Sequence, residues 1–161
     1  DRVWISFDGS LDRYAATVVD FDSELDAALV YVAGADVPPL RLATTLPGRG
    51  DPAAALGFTG GGRQRLIPGV ISRTLSALGR DIYGSSVSAR EIIEMRLDVS
   101  PGDSGGPVLV SSGLVGGVTF SESQADPTIG YALSATAVTA SVGDALNSTT
   151  VVATGECIPN R

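Results

Sequence analysis

Pro101-Gly102-Asp103-Ser104-Gly105-Gly106-Pro107 lies between two apolar stretches, residues 91–97 before it and 108–110 after it. Both have strand length, so the heptapeptide reads as a tight connection inside a β-structure. Its glycines let the backbone fold sharply enough to turn successive N–H groups toward one point. A serine hydroxyl that attacks an ester or amide needs such donors within about 3 Å of the developing oxyanion. Here the amides of Gly102 and Ser104 are the candidates, with Ser104 as the nucleophile. A plain glycine-rich hairpin is the competing reading, and the six-residue string from Gly102 to Pro107 between two strands argues against it.

Short runs broken by turn signals continue outward from this loop in both directions. Residues 3–7, 15–21, 28–32, 53–58 and 65–74 precede it, and residues 114–120 and 129–133 follow it, so about ten strands are expected in all. Asp8-Gly9-Ser10 is read as the first turn, and Pro68-Gly69 as an edge or bulge within its run. A closed or sandwiched all-β fold follows. Only residues 135–146 have helical spacing and good helix formers, with Ser134 as the expected N-cap. Gly60-Gly61-Gly62 lacks the Gly-Lys-Ser/Thr ending of a phosphate loop. There is no internal repeat and no linker.

The composition fits one folded domain. The 161 residues are 43% apolar with a mean hydropathy of +0.23, and 20 glycines and 9 prolines favour many turns over long helices. A net charge of −7 and a pI near 4.4 argue against nucleic acid and anionic lipid as partners. The longest apolar run, residues 27–33, is far short of a membrane span, and the Asp1-Arg2-Val3-Trp4 start does not look like a signal peptide. All eleven cations are Arg, and the chain has neither Lys nor His. With no His and one Cys, no metal site and no cofactor is expected. Cys157 is either a buried free thiol or half of a disulfide whose partner is missing; the second reading implies an oxidising compartment.

The Pro-Gly-Asp-Ser-Gly-Gly-Pro segment resembles the nucleophile loop of the trypsin-like, chymotrypsin-fold serine proteases, and its pattern is also similar to the HtrA branch. Ser23-Glu24-Leu25-Asp26-Ala27-Ala28-Leu29-Val30 is similar to the family strand that begins with the triad aspartate. The resemblance therefore maps that role to Asp26, with Asp22 as the fallback. Asp103 takes the place of the loop aspartate that anchors a new N-terminus in many members, although no Ile-Val-Gly-Gly start occurs here. Tyr131-Ala132-Leu133-Ser134 resembles the strand along which substrate backbone pairs. Asp98, six residues before Ser104, sits by count where trypsins carry the acid that selects basic side chains.

The implied fold is a chymotrypsin-like double β-barrel with a short C-terminal helix. About residues 1–45 would be the rest of an incomplete first barrel, and about residues 46–161 the second barrel and tail. The implied activity is peptide-bond hydrolysis through an acyl-enzyme on Ser104. One departure is large: the family His belongs upstream of the Asp, and none of the 25 residues before Asp26 is His. With Lys absent as well, no side chain here can act as the usual general base.

Two explanations compete. If an upstream segment is missing, it would hold the first strands, the His and the partner of Cys157, so the separate chain would be inactive. If instead the protein is a catalytically inactive peptide-binding module, the nucleophile loop and Asp26 would be idle. The first explanation is preferred, and a serine esterase is a third. Within the family the Arg-only, Ala/Gly/Val-rich chain with a C-terminal Cys resembles the mycobacterial acid-resistance periplasmic proteases. That likeness implies a membrane-anchored enzyme working outside the cytoplasm on protein or peptide substrates, with a disulfide from Cys157 to an N-terminal cysteine.

Overall fold

The computed structural model describes residues 3–7 and 12–155. The Asp8-Gly9-Ser10 turn and Cys157 lie outside the described residues. Nine strands run in chain order through them: β1 Val3–Ile5, β2 Tyr14–Asp22, β3 Ala27–Val32, β4 Pro52–Gly57, β5 Arg65–Arg80, β6 Val87–Arg96, β7 Pro107–Val110, β8 Val115–Glu122 and β9 Ile129–Ser134. One helix, α1, spans Ala135–Val142 and is followed by a 3-10 turn, Gly143–Ala145. The mostly β architecture with one short C-terminal helix is the one expected. The chain separates into two compact units, one of Pro39–Ala77 and Ala89–Thr139, the other of Asp1–Pro38, Leu78–Ser88 and Ala140–Arg161.

The larger unit is a closed barrel in the order β4-β5-β6-β9-β8-β7, with β7 pairing back onto β4. Closure leaves none of these strands as a long open edge. In β4 the period of two is direct: Ala53, Ala55 and Gly57 are buried while the residues between them face outward. Their partners in the core are Ile67, Ile71, Ile93, Met95, Leu97, Val99, Val108 and Ala132. Ile93, Met95 and Val108 expose no surface, so this interior is packed side chain, not a channel.

Two expectations about this unit change in detail. Pro68 pairs with Ala54 in an unbroken β4–β5 register inside a closed barrel, so it lies on no edge strand and the β4–β5 ladder has no bulge there. The glycine is there because a Cβ on Gly69 would run into the Arg96 carbonyl and Leu97. The helix ends at Val142, four residues before the expected Leu146, where Gly143 favours a tighter 3-10 turn. Its N-cap is as read: the Ala137 N–H donates to Ser134 Oγ at 3.0 Å.

In the smaller unit β1, β2 and β3 form an antiparallel three-stranded sheet. The β2–β3 register shifts between Val18 and Asp20, and the Val152 N–H donates to the Val18 carbonyl at 3.0 Å. The bulge thus coincides with the place where the C-terminal tail joins the sheet. Ile82 N–H donates to the Ser23 carbonyl at 3.2 Å, and Tyr83 Oη to the Thr154 carbonyl at 2.8 Å. The tip of the β5–β6 hairpin is closed by Asp81, whose carboxylate accepts from the Ser85 N–H at 2.7 Å and the Ser85 hydroxyl at 2.6 Å. Those bonds, the Ser85 hydroxyl foremost, hold the Asp81 carboxyl below its ordinary range.

Candidate active site

The loop carrying Ser104 joins β6 to β7 and is pinned on both sides of that residue. Asp103 is buried, with 1% of its surface exposed. Its carboxylate accepts from the Thr59 hydroxyl at 2.7 Å and from the Ser100 N–H at 2.9 Å. The Asp103 N–H donates to the Ser100 carbonyl, the Gly105 N–H to the Thr119 carbonyl and the Gly106 N–H to the Asp103 carbonyl, at 3.0, 2.7 and 3.1 Å. No such bond is made by the amides of Gly102 or Ser104 among the described residues. The two donors assigned from the sequence to the oxyanion hole are therefore the ones that the loop's own bonding does not use.

Backbone handedness explains the glycine in front of the serine. Gly102 has φ +102°, and a Cβ there would stand 2.7 Å from the Phe58 carbonyl and from the Gly60 nitrogen. Gly57 has a related task, since a Cβ on it would collide with the Asp103 carboxylate. With Asp103 held inside, Ser104 is left exposed, its Oγ 3.5 Å from the Phe120 carbonyl, a long contact that leaves the hydroxyl accessible.

Beside Ser104 lies a cleft of about 300 Å³, walled by Val99, Ser100, Pro101, Thr119, Ser121 and Glu122. Asp98 is exposed and outside this wall, while its neighbours Leu97 and Val99 are buried. The rim beyond Glu122 is a tied loop: Ser123 Oγ accepts from the N–H groups of Ala125 and Asp126, and Asp126 accepts from the N–H and hydroxyl of Thr128. The Thr128 hydroxyl is the main reason the Asp126 carboxyl is held below its ordinary range.

Tyr131, Ala132 and Leu133 lie in the middle of β9, paired to β6 on one side and β8 on the other. Both edges are occupied, so these residues present no edge for added backbone. The edge next to Ser104 belongs to β8 instead. Its ladder with β7 ends at Val118, Thr119 bonds to the backbone of Gly105 and Gly106, and no strand pairs with residues 120–122 on that side among the described residues. The signal that could have found it is the hydroxyl-rich, half-exposed end of β8 directly following a buried glycine pair, Gly116-Gly117.

Asp26 ends a turn and leads into β3 in the smaller unit. It has φ +63°, the one non-glycine residue in the left-handed region among the described residues. Asp tolerates that conformation better than most side chains, and residues held there cluster at functional sites. Asp22 shapes the same turn, its Oδ1 accepting from the N–H groups of Glu24 and Leu25 at 3.0 and 2.8 Å and its Oδ2 from the Ser141 hydroxyl at 2.7 Å. The fallback residue is thus committed to local structure through both oxygens.

No helix among the described residues is long and apolar enough to cross a membrane. Residues 4–118 match the trypsin-like peptidase domain family. The serine protease Rv3671c of Mycobacterium tuberculosis is 34% identical over 146 residues, which are 90% of this chain and 36% of that protein. The chain thus spans about a third of the length of this curated relative. The crystal structure of the Rv3671c protease in its active form superposes with a TM-score of 0.86 at 34% identity, over 91% of this chain and 64% of that one. Its inactive form gives 0.74 over 84% and 69%. A serine endoprotease from Yersinia pestis, 19% identical, shares the fold with a TM-score of 0.69 over 89% of this chain and 48% of that one. The barrel, the loop that buries Asp103 and bares Ser104, and a family match covering most of the chain agree, and the chain belongs to the trypsin-like peptidase family.

Proposed function

We propose that the intact protein is a serine endopeptidase working through an acyl-enzyme on Ser104. The observation that carries this is the pair of unused amides, Gly102 and Ser104, on a loop whose other backbone donors are engaged. The Ser104 oxygen would bond to the scissile carbonyl carbon while its proton passes to a base, and the charge on the carbonyl oxygen would fall to the two amides. The base then returns the proton to the leaving amine, and water repeats the sequence to release the acid.

With neither His nor Lys among the 161 residues, the base comes from a segment outside them. Asp26 orients that imidazole and stabilises its cation, and the chain alone is inactive. The smaller unit supports a further segment: its groove of about 650 Å³, walled by Trp4, Val18, Val151 and others, is largely apolar, and Trp4 is half exposed. The same segment supplies the disulfide partner of Cys157, which places the domain on the extracytoplasmic, oxidising side of a membrane. Anchoring to that membrane and a part in acid resistance belong to the same reading.

In the full-length protein, Ser104→Ala should abolish peptide turnover, and Asp26→Asn should lower it by roughly 10⁴-fold with folding intact. Turnover unchanged by Ser104→Ala refutes the assignment. A loss below tenfold for Asp26→Asn beside a large loss for Asp22→Asn moves the acid to Asp22. If full-length protein binds peptides but cleaves none, the chain is an inactive peptide-binding module.

A further inference from the structure

Three of the chain's eleven arginines, Arg49, Arg73 and Arg96, line one cleft of about 520 Å³ in the larger unit, with Glu94 as its only carboxylate. In a chain of net charge −7 this is a local reversal of sign. Arg73 Nε and Nη2 both donate to Glu94 Oε2, at 3.1 and 2.7 Å, which uses two of the five N–H donors of that guanidinium. The exposed guanidinium groups of Arg49 and Arg96 make no hydrogen bond or ion pair among the described residues. The nearby acids are engaged: Asp51 Oδ2 accepts from the Gly48 N–H, and Asp126, whose charge Arg96 feels, accepts from Thr128. A clipped turn carries Arg49, for the Gly50 N–H donates to the Ile71 carbonyl and the Ile71 N–H to the Asp51 carbonyl, both at 2.9 Å. Val70 lines the same cleft and ends an apolar row on the outward face of β5, Leu66-Pro68-Val70, in which Leu66 and Val70 are 63% and 44% exposed. At about 3.4 Å per residue that row is roughly 14 Å long.

We propose that this cleft and the row beside it form a docking site for an extended peptide segment of another protein, acidic at one end and apolar at the other. Its carboxylates are held by Arg49, Arg73 and Arg96, and its apolar end covers Val70, Pro68 and Leu66. The planar guanidinium fork matches a carboxylate through two parallel N–H bonds, which gives the arginines both the charge and the geometry for this partner. A long polyanion or an anionic membrane would meet the negative charge of the rest of the chain, whereas a few carboxylates within a Debye length of about 8 Å feel the local arginines. The site shares no lining residue with the cleft beside Ser104, so docking there is separable from cleavage.

The test is fluorescence anisotropy of a fluorescein-labelled peptide that joins a run of glutamates to a pair of leucines, titrated with the full-length Ser104→Ala protein. Replacing the glutamates by glutamines should weaken binding by about tenfold or more, and so should raising the salt. Replacing the leucines by serines should weaken it by a smaller factor. Arg49→Gln and Arg96→Gln, both at exposed positions, should each lower affinity for the glutamate peptide by about tenfold and leave the glutamine peptide unaffected. Val70→Ser should remove the advantage of the leucines alone. Equal binding of the glutamate and glutamine peptides, or an acid preference unmoved by both arginine substitutions, overturns the proposal. So does failure to bind the peptide while the arginine substitutions abolish co-sedimentation with phosphatidylserine vesicles, binding of inorganic phosphate, or self-association in sedimentation runs. Those outcomes assign the arginines to a membrane, a free anion or a second copy.

Discussion

Neighbouring residues of the β6–β7 loop have opposite fates: Asp103 is buried and Ser104 is exposed. The left-handed turn at Gly102 and the cap that Asp103 forms on the Ser100 N–H impose that contrast together. Gly57 keeps the space that the carboxylate fills. Gly57→Ala should therefore push Asp103 outward, lowering stability by about 1–3 kcal/mol and slowing fluorophosphonate labelling of Ser104 in the full-length protein. Chemical denaturation and labelling rates both unchanged would show that the loop does not depend on this packing. That a tight loop between two strands would present Ser104 was legible in the sequence, because the glycines around the serine read as a turn. Asp98, placed at the specificity acid's position only by counting back from Ser104, is exposed on the connection after β6, whereas its neighbours Leu97 and Val99 are buried; a count along a loop does not carry side-chain direction.

Among the elements, α1 is joined to the barrel by Glu91 of β6. The Glu91 carboxylate accepts from the Ser134 hydroxyl at 2.6 Å and the Thr136 hydroxyl at 2.5 Å, while Ser134 caps the helix. These two bonds, Ser134 first, hold the Glu91 carboxyl below its ordinary range. A depressed folded-state value means that the unfolded chain binds the proton more readily. The stabilisation is thus present above the unfolded range near pH 4.5 and is lost as pH falls through the lower folded value. Glu91→Gln should flatten the fall in stability between roughly pH 5 and 3, read by denaturant melts across that range. A slope identical to the parent would contradict the network. Ser134→Ala should cost about 1 kcal/mol through the cap.

The cap was legible because serine before an apolar helical run is a local signal, but the ends of β5 and β6 were not. Leu78 and Val87 are 80% and 60% exposed while Ser88 and Arg90 take the covered positions, so the apolar residues of the hairpin beyond Thr74 do not follow its alternation and could not reveal it. The partners of β9 were equally hidden, because which strand has a free edge depends on barrel closure, a property of no single segment.

At the scale of the whole molecule, the catalytic parts are unequally supplied. On the proposed reading the chain would bring the nucleophile, the two amides and the aspartate, yet the side-chain bases it offers include eighteen carboxylates and no imidazole or amine, and carboxylates are far weaker bases than imidazole at neutral pH. An oxyanion hole without a base gives a residual acceleration of roughly 10³–10⁴ over water, far below a working protease. The most direct measurement is peptide turnover by the separate 161-residue chain beside the full-length protein, each with its Ser104→Ala counterpart. Turnover is expected from the full-length protein alone, and it should be lost in Ser104→Ala. Robust turnover by the separate chain, abolished by Ser104→Ala, would contradict it.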